Sequence, residues 1–215
     1  MTPRCVAAAV AACLTAALLP PPVRAAEIDP AASSVGFTLD ARWGKTLVGH
    51  FPRYEGEVAD LPNGLHQVRL RLSTADVEIK GSATFTRLTR GEGFFEAGQY
   101  PWVEFVSDPY SATLTRDGGR LGGMLTIRGV QRRETFVIRP AACERPGVEC
   151  EIVARGSIDR DDYGMDRWGF ALSDRVVFSL RVRTLAPDPD PGLDLELELE
   201  PELEPVPLPT PDPVP

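Results

Sequence analysis

The side chains best suited to chemistry in this chain are its two histidines. His50 lies between Gly49 and Phe51 in a strand-like segment, and His66 follows a turn. Neither has a Cys, Asp or His partner at a useful spacing, and a metal site normally needs three or more converging ligands. We therefore predict that both are surface or wall residues and that the protein holds no metal; convergence of ligands distant in sequence is the alternative.

A second feature with chemical potential is the acidic run Asp159-Arg160-Asp161-Asp162. Consecutive carboxylates with an arginine among them are more typical of a turn with a local ion pair than of acid/base catalysis or cation binding. The sequence contains no G-x-S-x-G elbow, P-loop or dinucleotide fingerprint. We predict a protein that is not an enzyme; the alternative is a hydrolase or isomerase that uses His50 or this acidic run.

The first 25 residues have the features of a secretory signal peptide. Arg4 precedes an apolar run from Val6 to Leu19, and Val23-Arg24-Ala25 supplies small residues for cleavage near Ala25 or Ala26. The run is short for a membrane span. The segment ending at Cys13 also resembles a lipobox, which would leave a lipidated Cys13 as the mature N-terminus. The favoured prediction is a periplasmic or secreted protein.

The last 29 residues, 187–215, differ in composition from the rest of the chain. They contain nine acidic residues, ten prolines and no basic residue, so we expect a disordered or polyproline-like tail. This tail accounts for the net charge of −8, because without it and the two leader arginines residues 26–186 carry −1. The central domain therefore lacks the basic surface expected of a nucleic-acid-binding protein.

Two cysteines remain after cleavage of the leader. Cys143 and Cys150 flank the turn sequence Glu144-Arg145-Pro146-Gly147. In an oxidising compartment this pair predicts a structural disulfide. The alternative, a redox or metal pair, lacks further cysteine or histidine nearby.

The stretch Gly93–Ser107 (GFFEAGQYPWVEFVS) shows how residues 26–186 are built. Paired aromatics lead through a proline into a strand whose Val103 and Phe105 share one face. Similar alternation predicts strands at 33–40, 46–58 with an interruption at Pro52, 67–73, 110–116, 120–128, 132–139, 151–160 and 175–183. Ser82 is predicted to cap a short helix that contains Phe85 and Leu88.

Eight or nine short strands over about 160 residues predict an all-β domain, either a sandwich or a closed antiparallel barrel. Closure would remove exposed strand edges and leave room for a slender ligand. If a cavity exists, its predicted wall or entrance is formed by the apolar faces: Phe37, Leu39, Leu70, Leu72, Phe94, Phe95, Tyr100, Phe105, Ile127, Phe136, Ile138, Phe178 and Leu180. Arg160 and Tyr163 are the predicted contacts for a polar head group.

Four sequence motifs, taken in order, resemble those of a known family. They are Ile28–Pro30, Phe94–Ala97 with Tyr100-Pro101 and Phe105, Leu125–Val130, and Ile158–Met165. In this spacing the chain resembles the YceI-like family of secreted lipocalin-like proteins. The resemblance implies an eight-stranded antiparallel lipocalin-like barrel over residues 26–186. It also implies an elongated apolar cavity for a polyisoprenoid, a quinone or a similar lipid.

This resemblance sets the functional expectation: a carrier that holds its lipid without a covalent cofactor. Its expected partners are a hydrophobic small molecule, a transient membrane or membrane-protein contact, and a second copy in a homodimer. Besides an enzyme on a barrel scaffold, the remaining alternative is a filled barrel that acts as an interaction module through the acidic tail.

Overall fold

Alternation of apolar and polar residues gives the chain twelve β-strands, seen in a computed structural model that describes residues 25–185. The predicted signal peptide and acidic tail lie outside the described residues. The strands are β1 (Ala25–Glu27), β2 (Ser34–Ala41), β3 (Thr46–His50), β4 (Tyr54–Leu61), β5 (Leu65–Ser73), β6 (Glu78–Ile79), β7 (Trp102–Ser107), β8 (Tyr110–Ser111), β9 (Gly119–Ile127), β10 (Val130–Ile138), β11 (Ile152–Asp159) and β12 (Leu172–Val182).

All twelve strands belong to one antiparallel sheet that curls into a barrel. Its order is β1-β4-β5-β7-β9-β10-β11-β12-β2-β3-β6, and β8 pairs with β5. The predicted all-β antiparallel fold is confirmed. The strand count is higher than the predicted eight because β1, β6 and β8 are stubs of two or three residues and because β3 and β4 are two halves of one bent strand.

The bend between β3 and β4 is where the curled sheet meets itself. Pro52 has no amide hydrogen for a ladder, and the strand changes partners around it. Before the bend, the Phe51 amide donates to the Val35 carbonyl of β2 at 2.9 Å. After it, the Ser73 amide of β5 donates to the Arg53 carbonyl at 3.0 Å. The bent strand therefore pairs with β2 through its first half and with β5 through its second half. The predicted interruption at Pro52 lies between the two halves.

Two short helices complete the domain. Helix α1 (Ala83–Arg90) begins where predicted, with the Ser82 hydroxyl accepting a hydrogen bond from the Phe85 amide at 3.2 Å. Helix α2 (Thr113–Asp117) replaces the predicted strand at 110–116, and that prediction is wrong. Only β8 at its start is extended, and it pairs with β5 rather than forming a hairpin with β9.

Phenylalanine rings in the barrel interior lie against glycines of neighbouring strands. Phe37 of β2 pairs directly with Gly49 of β3, and its ring occupies the space where a Cβ at Gly49 would be. A Cβ at Gly156 of β11 would likewise lie 2.7 Å from Cδ1 of Phe136 on β10. The glycines let each ring rest against the backbone of the next strand. Large apolar side chains are therefore packed close to the barrel wall at these two positions.

Candidate functional site: two apolar cavities in the barrel

Two apolar cavities lie inside the barrel, one towards each end of its long strands. Strand β2 contributes Val35 to the first cavity, which we call cavity A, and Leu39 to the second, cavity B. Strand β12 contributes Val182 to cavity A and Leu172 to cavity B. The volumes are about 90 Å³ for cavity A and about 120 Å³ for cavity B. Both are larger than the space that one water molecule needs.

Cavity A is built mainly by the sheet. Its lining comes from long strands on every side of the barrel, and helix α2 adds Leu114 and Thr115 at one end. Of the described residues, none in this lining is charged, and Thr115 and Tyr110 are its polar members. Burial, together with the charge of nearby Asp60, raises the pKa of Tyr110 to about 12. The cavity wall thus favours hydrocarbon over water.

Cavity B is built partly from strand ends and partly from connecting segments. Helix α1 contributes Phe85 and Leu88, the turn after β2 contributes Trp43, and the loop before β12 contributes Met165 and Trp168. Among residues 25–185, Arg160 is the one charged residue in its lining. This cavity is apolar like cavity A, but half of its wall depends on loop conformation.

An aromatic cluster separates the two cavities. Phe178 of β12 lines both of them, so its side chain stands between them. Its ring centroid lies 6.0 Å from that of Phe37, which in turn lies 5.6 Å from Phe51 and 6.2 Å from Phe95. All four rings are buried. The barrel interior is therefore apolar along its length, with a partition of phenylalanines at the middle.

The predicted wall residues divide between the cavities, with one exception. Those in cavity A are Leu70, Leu72, Phe105, Phe136, Ile138, Phe178 and Leu180. Those in cavity B are Phe37, Leu39, Phe94, Phe95, Ile127 and again Phe178. Tyr100 lines neither; it is half-buried, and its hydroxyl accepts a hydrogen bond from Gln99 at 3.0 Å. Their contact with a ligand stays a prediction.

The two predicted head-group residues are buried and already hydrogen-bonded. Arg160 is 1% exposed, and its guanidinium donates to the carbonyls of Ser173 and Met165 and to the carboxylate of Asp174. The Tyr163 hydroxyl donates to Glu134 at 2.8 Å. Burial and that hydrogen bond raise the pKa of the Tyr163 phenol above its usual range. Arg160 borders cavity B, whereas Tyr163 lines neither cavity.

The residues invoked for catalysis lie apart from one another. His50 is exposed and lies 3.3 Å from Glu78 across β3 and β6, while His66 contacts Asp60 at 2.8 Å. Asp161 and Asp162 are exposed in a short 3₁₀ turn, Arg160–Tyr163. Within residues 25–185, no three His, Cys, Asp or Glu side chains converge as a metal site requires. Cys143 and Cys150 form a disulfide.

Comparison with known families accounts for this architecture. The model of the YceI-like domain matches residues 27–184. The chain belongs to the YceI-like family. A search of curated proteins found no match. In the part of the chain that the structure describes, no helix is long and apolar enough to cross a membrane.

Two solved structures share the fold of this YceI-like domain. BcnA of Burkholderia cenocepacia has a TM-score of 0.58 at 19% identity, covering 72% of this chain and 98% of its own. A polyisoprenoid binding domain from Saccharophagus degradans, implicated in plant cell wall breakdown, has a TM-score of 0.57 at 14% identity. That alignment covers 77% of this chain and 99% of the other.

Sequence reasoning named Phe94 and Phe95 but missed the other apolar residues that the loops and helix α1 contribute to cavity B in this YceI-like domain. Phe85 and Leu88 could have been predicted as wall residues, since helical spacing places them on one face of α1. Trp43 and Trp168 could not, because a turn and an aperiodic loop give no facing pattern. In cavity A the missed residues, such as Val35, Val103 and Leu125, lie on the same alternating faces as the predicted ones.

Proposed function

We propose that this YceI-like protein is a periplasmic or secreted carrier that holds a long-chain polyisoprenoid, such as a quinone or polyprenyl lipid, inside its barrel. The observation that carries the proposal is the apolar interior that runs from cavity A through the aromatic partition to cavity B. An elongated interior without charged groups at cavity A suits a long hydrocarbon chain. Arg160 provides a polar border at cavity B.

The dimensions of the cavities suggest how such a chain is accommodated. Pockets that hold drug-sized ligands usually measure about 300–1,000 Å³, whereas these cavities measure about 90 and 120 Å³. A long chain therefore requires the partition to open. Rotation of the Phe178 and Phe37 rings would join the two cavities into one tunnel. Ligand binding is thus proposed to be coupled to the conformation of the aromatic cluster.

Chain length can supply the affinity. Burial of hydrocarbon contributes about 0.8 kcal/mol per CH₂ group, so one five-carbon isoprene unit contributes roughly 3–4 kcal/mol. Association costs about 4–15 kcal/mol. A few isoprene units exceed that cost without any specific polar contact. We expect affinity to rise with isoprenoid length until the tunnel is full.

Two further observations support the proposal. The structurally similar domain from Saccharophagus degradans is described as polyisoprenoid binding. The N-terminal segment has the composition of a secretory signal, which fits a carrier that works outside the cytoplasm. We propose a binding role without catalysis because His50 and the Asp159–Asp162 run lie on separate parts of the barrel and outside both cavity linings, Arg160 excepted.

Mass spectrometry of organic extracts from the purified protein tests the proposal directly. We expect a co-purified isoprenoid lipid, or uptake of added quinones with dissociation constants that fall as the side chain lengthens. His50→Ala should bind like the wild type, and the loss of a turnover activity in this variant would instead support the hydrolase alternative. Absence of lipid together with no uptake of any homologue, or equal binding of short and long homologues, would contradict the proposal.

A further inference from the structure

Exposed apolar side chains gather where cavity B reaches the surface. Trp43 and Leu88 line the cavity and are 56% and 36% exposed, so they mark its mouth. Phe170 is 77% exposed, and its ring lies 6.0 Å from that of Trp168, another lining residue. Large apolar side chains exposed together at a cavity opening are typical of an interaction surface.

These side chains are held on one continuous rim. The Arg42 amide donates to the Ala171 carbonyl at 2.9 Å, and Arg42 Nε donates to the Gly169 carbonyl at 2.8 Å. The turn that carries Trp43 is therefore fixed to the loop that carries Phe170. Helix α1 places Leu88 on the wall of the same cavity. The rim is a built surface rather than a set of scattered residues.

Three cationic side chains lie on the segments that carry this apolar rim. Arg42, Lys45 and Arg87 are exposed, and none of them forms a salt bridge with another described residue. Of the acids on the same segments, Glu92 is paired with Arg167 at 3.5 Å, Asp40 accepts a hydrogen bond from Thr46, and Asp166 is exposed. Residues 26–186 carry a net charge of only −1, so the positive rim is a local feature. Its natural counterpart is an anionic surface.

We propose that this rim docks on the surface of an anionic lipid bilayer and thereby opens cavity B towards the acyl chains. The surface, which we call the mouth patch, comprises Arg42, Trp43, Lys45, Arg87, Leu88 and Phe170. Tryptophan and phenylalanine partition into the interfacial layer of membranes. Arginine and lysine add attraction to anionic head groups. Membrane docking extends the proposed carrier function and rests on that function for its biological purpose. Docking itself can be measured without any carried ligand.

A second copy of the chain fits the mouth patch less well. In a two-fold symmetric dimer the same surface meets itself, which would bring Arg42, Lys45 and Arg87 of both copies together. Like charges brought together across an interface oppose association. A bilayer provides apolar depth and negative charge at once, and both features of the patch are satisfied by it.

Vesicle co-sedimentation with the full chain tests the proposal. The probes are phosphatidylcholine vesicles and vesicles in which about a third of the lipid is phosphatidylglycerol. We expect binding to the anionic vesicles that weakens with added salt. One variant combines Trp43→Ala with Phe170→Ala, and another combines R42Q, K45Q and R87Q. Each should weaken binding at least tenfold.

The outer face of β10 supplies matched controls. Val137 is 51% exposed and pairs with Arg120 of β9 and Arg155 of β11, so it is also an apolar residue between arginines. Val137→Ala and the R120Q/R155Q double variant should leave vesicle binding within twofold of wild type. Equal losses in these controls would show adsorption through general charge and would overturn the proposal. So would wild-type protein that ignores anionic vesicles.

Fluorescence locates the contact. In a Trp102→Phe background the remaining tryptophans are Trp43 and Trp168, both at cavity B. Their emission should shift to the blue on anionic vesicles and be quenched by brominated acyl chains. Sedimentation velocity without vesicles tests whether a second copy of the chain binds the mouth patch instead. A dimer that the mouth-patch variants abolish would assign the surface to a second copy and overturn the proposal.

One comparison separates this proposal from the carrier function. Quinone delivered from solvent should still enter the mouth-patch variants, whereas quinone delivered from anionic vesicles should enter them at least tenfold more slowly than wild type. Failure of both deliveries in wild type would refute the carrier function. Vesicle binding would still decide the docking proposal by itself.

Discussion

Cavity A and cavity B have the same apolar character but are built in different ways. Cavity A is enclosed mainly by strands of the sheet, so strand register fixes its wall. Cavity B takes half of its wall from helix α1 and from loops that carry Trp43 and Trp168. Sheet walls deform little because each strand is hydrogen-bonded on both sides. We therefore expect cavity B to be the more deformable end of the barrel.

Side-chain interactions hold the loops around cavity B. Glu96 and Arg128 both have positive φ, at 50° and 51°, in a region that is costly for residues other than glycine. Their side chains form an ion pair at 2.8 Å, and Arg128 also donates to the Gly164 carbonyl. Three connecting segments thus meet at one arginine. At the cavity A end, Arg183 donates to the carbonyls of Val148 and Glu149, but most of the wall there is fixed by ladder hydrogen bonds of the sheet.

The largest expected effect concerns Phe178, the residue that both cavities share. Phe178→Ala removes a buried ring and should lower the free energy of unfolding by about 3–5 kcal/mol, as measured by urea denaturation. It should also join the cavities and improve uptake of long quinones relative to short ones. Phe170→Ala is the control, because an exposed ring contributes little to stability and its removal should cost less than about 0.5 kcal/mol. An unchanged preference for chain length would show that Phe178 does not divide the tunnel.

A smaller effect is expected at Arg160, in the wall of cavity B. Arg160→Met keeps much of the volume but removes the donors to two backbone carbonyls and to Asp174. We expect a loss of about 3 kcal/mol in unfolding free energy. Arg155→Met, on the outer face of β11, should stay within about 0.5 kcal/mol of wild type. If the two variants were equally stable, the loops of cavity B would not depend on this buried arginine.

The contrast between the cavities also explains what could be predicted from sequence. Alternation in β5, where Val68, Leu70 and Leu72 share a face, reports which side of a strand is buried. It therefore recovered the sheet and much of the wall of cavity A. The segment 110–116 misled the same reasoning, because three alternating residues are too few to distinguish a strand from the short helix α2. That helix ends at Gly118, whose φ of 78° favours glycine.

Other features could not be predicted because they depend on long-range geometry. Pro52 predicted an interruption of the strand at 46–58. Only the folded chain shows that the two halves of this strand, β3 and β4, pair with different strands. Periodicity predicts which side of a strand a side chain lies on, but it does not predict whether empty space lies next to that side chain. Neither the cavity volumes nor the partition at Phe178 therefore follows from the sequence. Trp43 and Trp168 reach cavity B through turns that have no period.

The wall of cavity A can be tested through the glycine that accommodates the Phe136 ring. Gly156→Val should push this ring towards the barrel centre because the new Cβ occupies its place. Overpacking should cost about 1–3 kcal/mol in unfolding free energy and should weaken quinone binding at least tenfold. Gly98→Ala, at an exposed position with no heavy atom within 4 Å of the added Cβ, is the control. Undiminished quinone binding would place the ligand outside cavity A.

The smallest expected effect is a loss of stability at high pH through Tyr110 in cavity A. Its pKa in the folded protein is about 12, above the ordinary value of 10.0. The unfolded chain therefore releases this proton first as the pH rises, so the stabilising contribution is complete below pH 10 and declines between about pH 10 and 12. At pH 11 the loss should be about 1 kcal/mol, measured as a shift in the urea midpoint.

Tyr110→Phe should remove that part of the pH dependence and leave stability near neutral pH similar, because the Tyr110 hydroxyl forms no hydrogen bond with a described side chain or backbone group. Tyr163, whose hydroxyl does bond to Glu134, provides the contrast. Tyr163→Phe should cost about 1–3 kcal/mol already at pH 7, since it removes a hydrogen bond to the half-buried carboxylate of Glu134. Identical pH profiles for wild type and Tyr110→Phe would show that water reaches the phenol, and hence that cavity A is wet at that end.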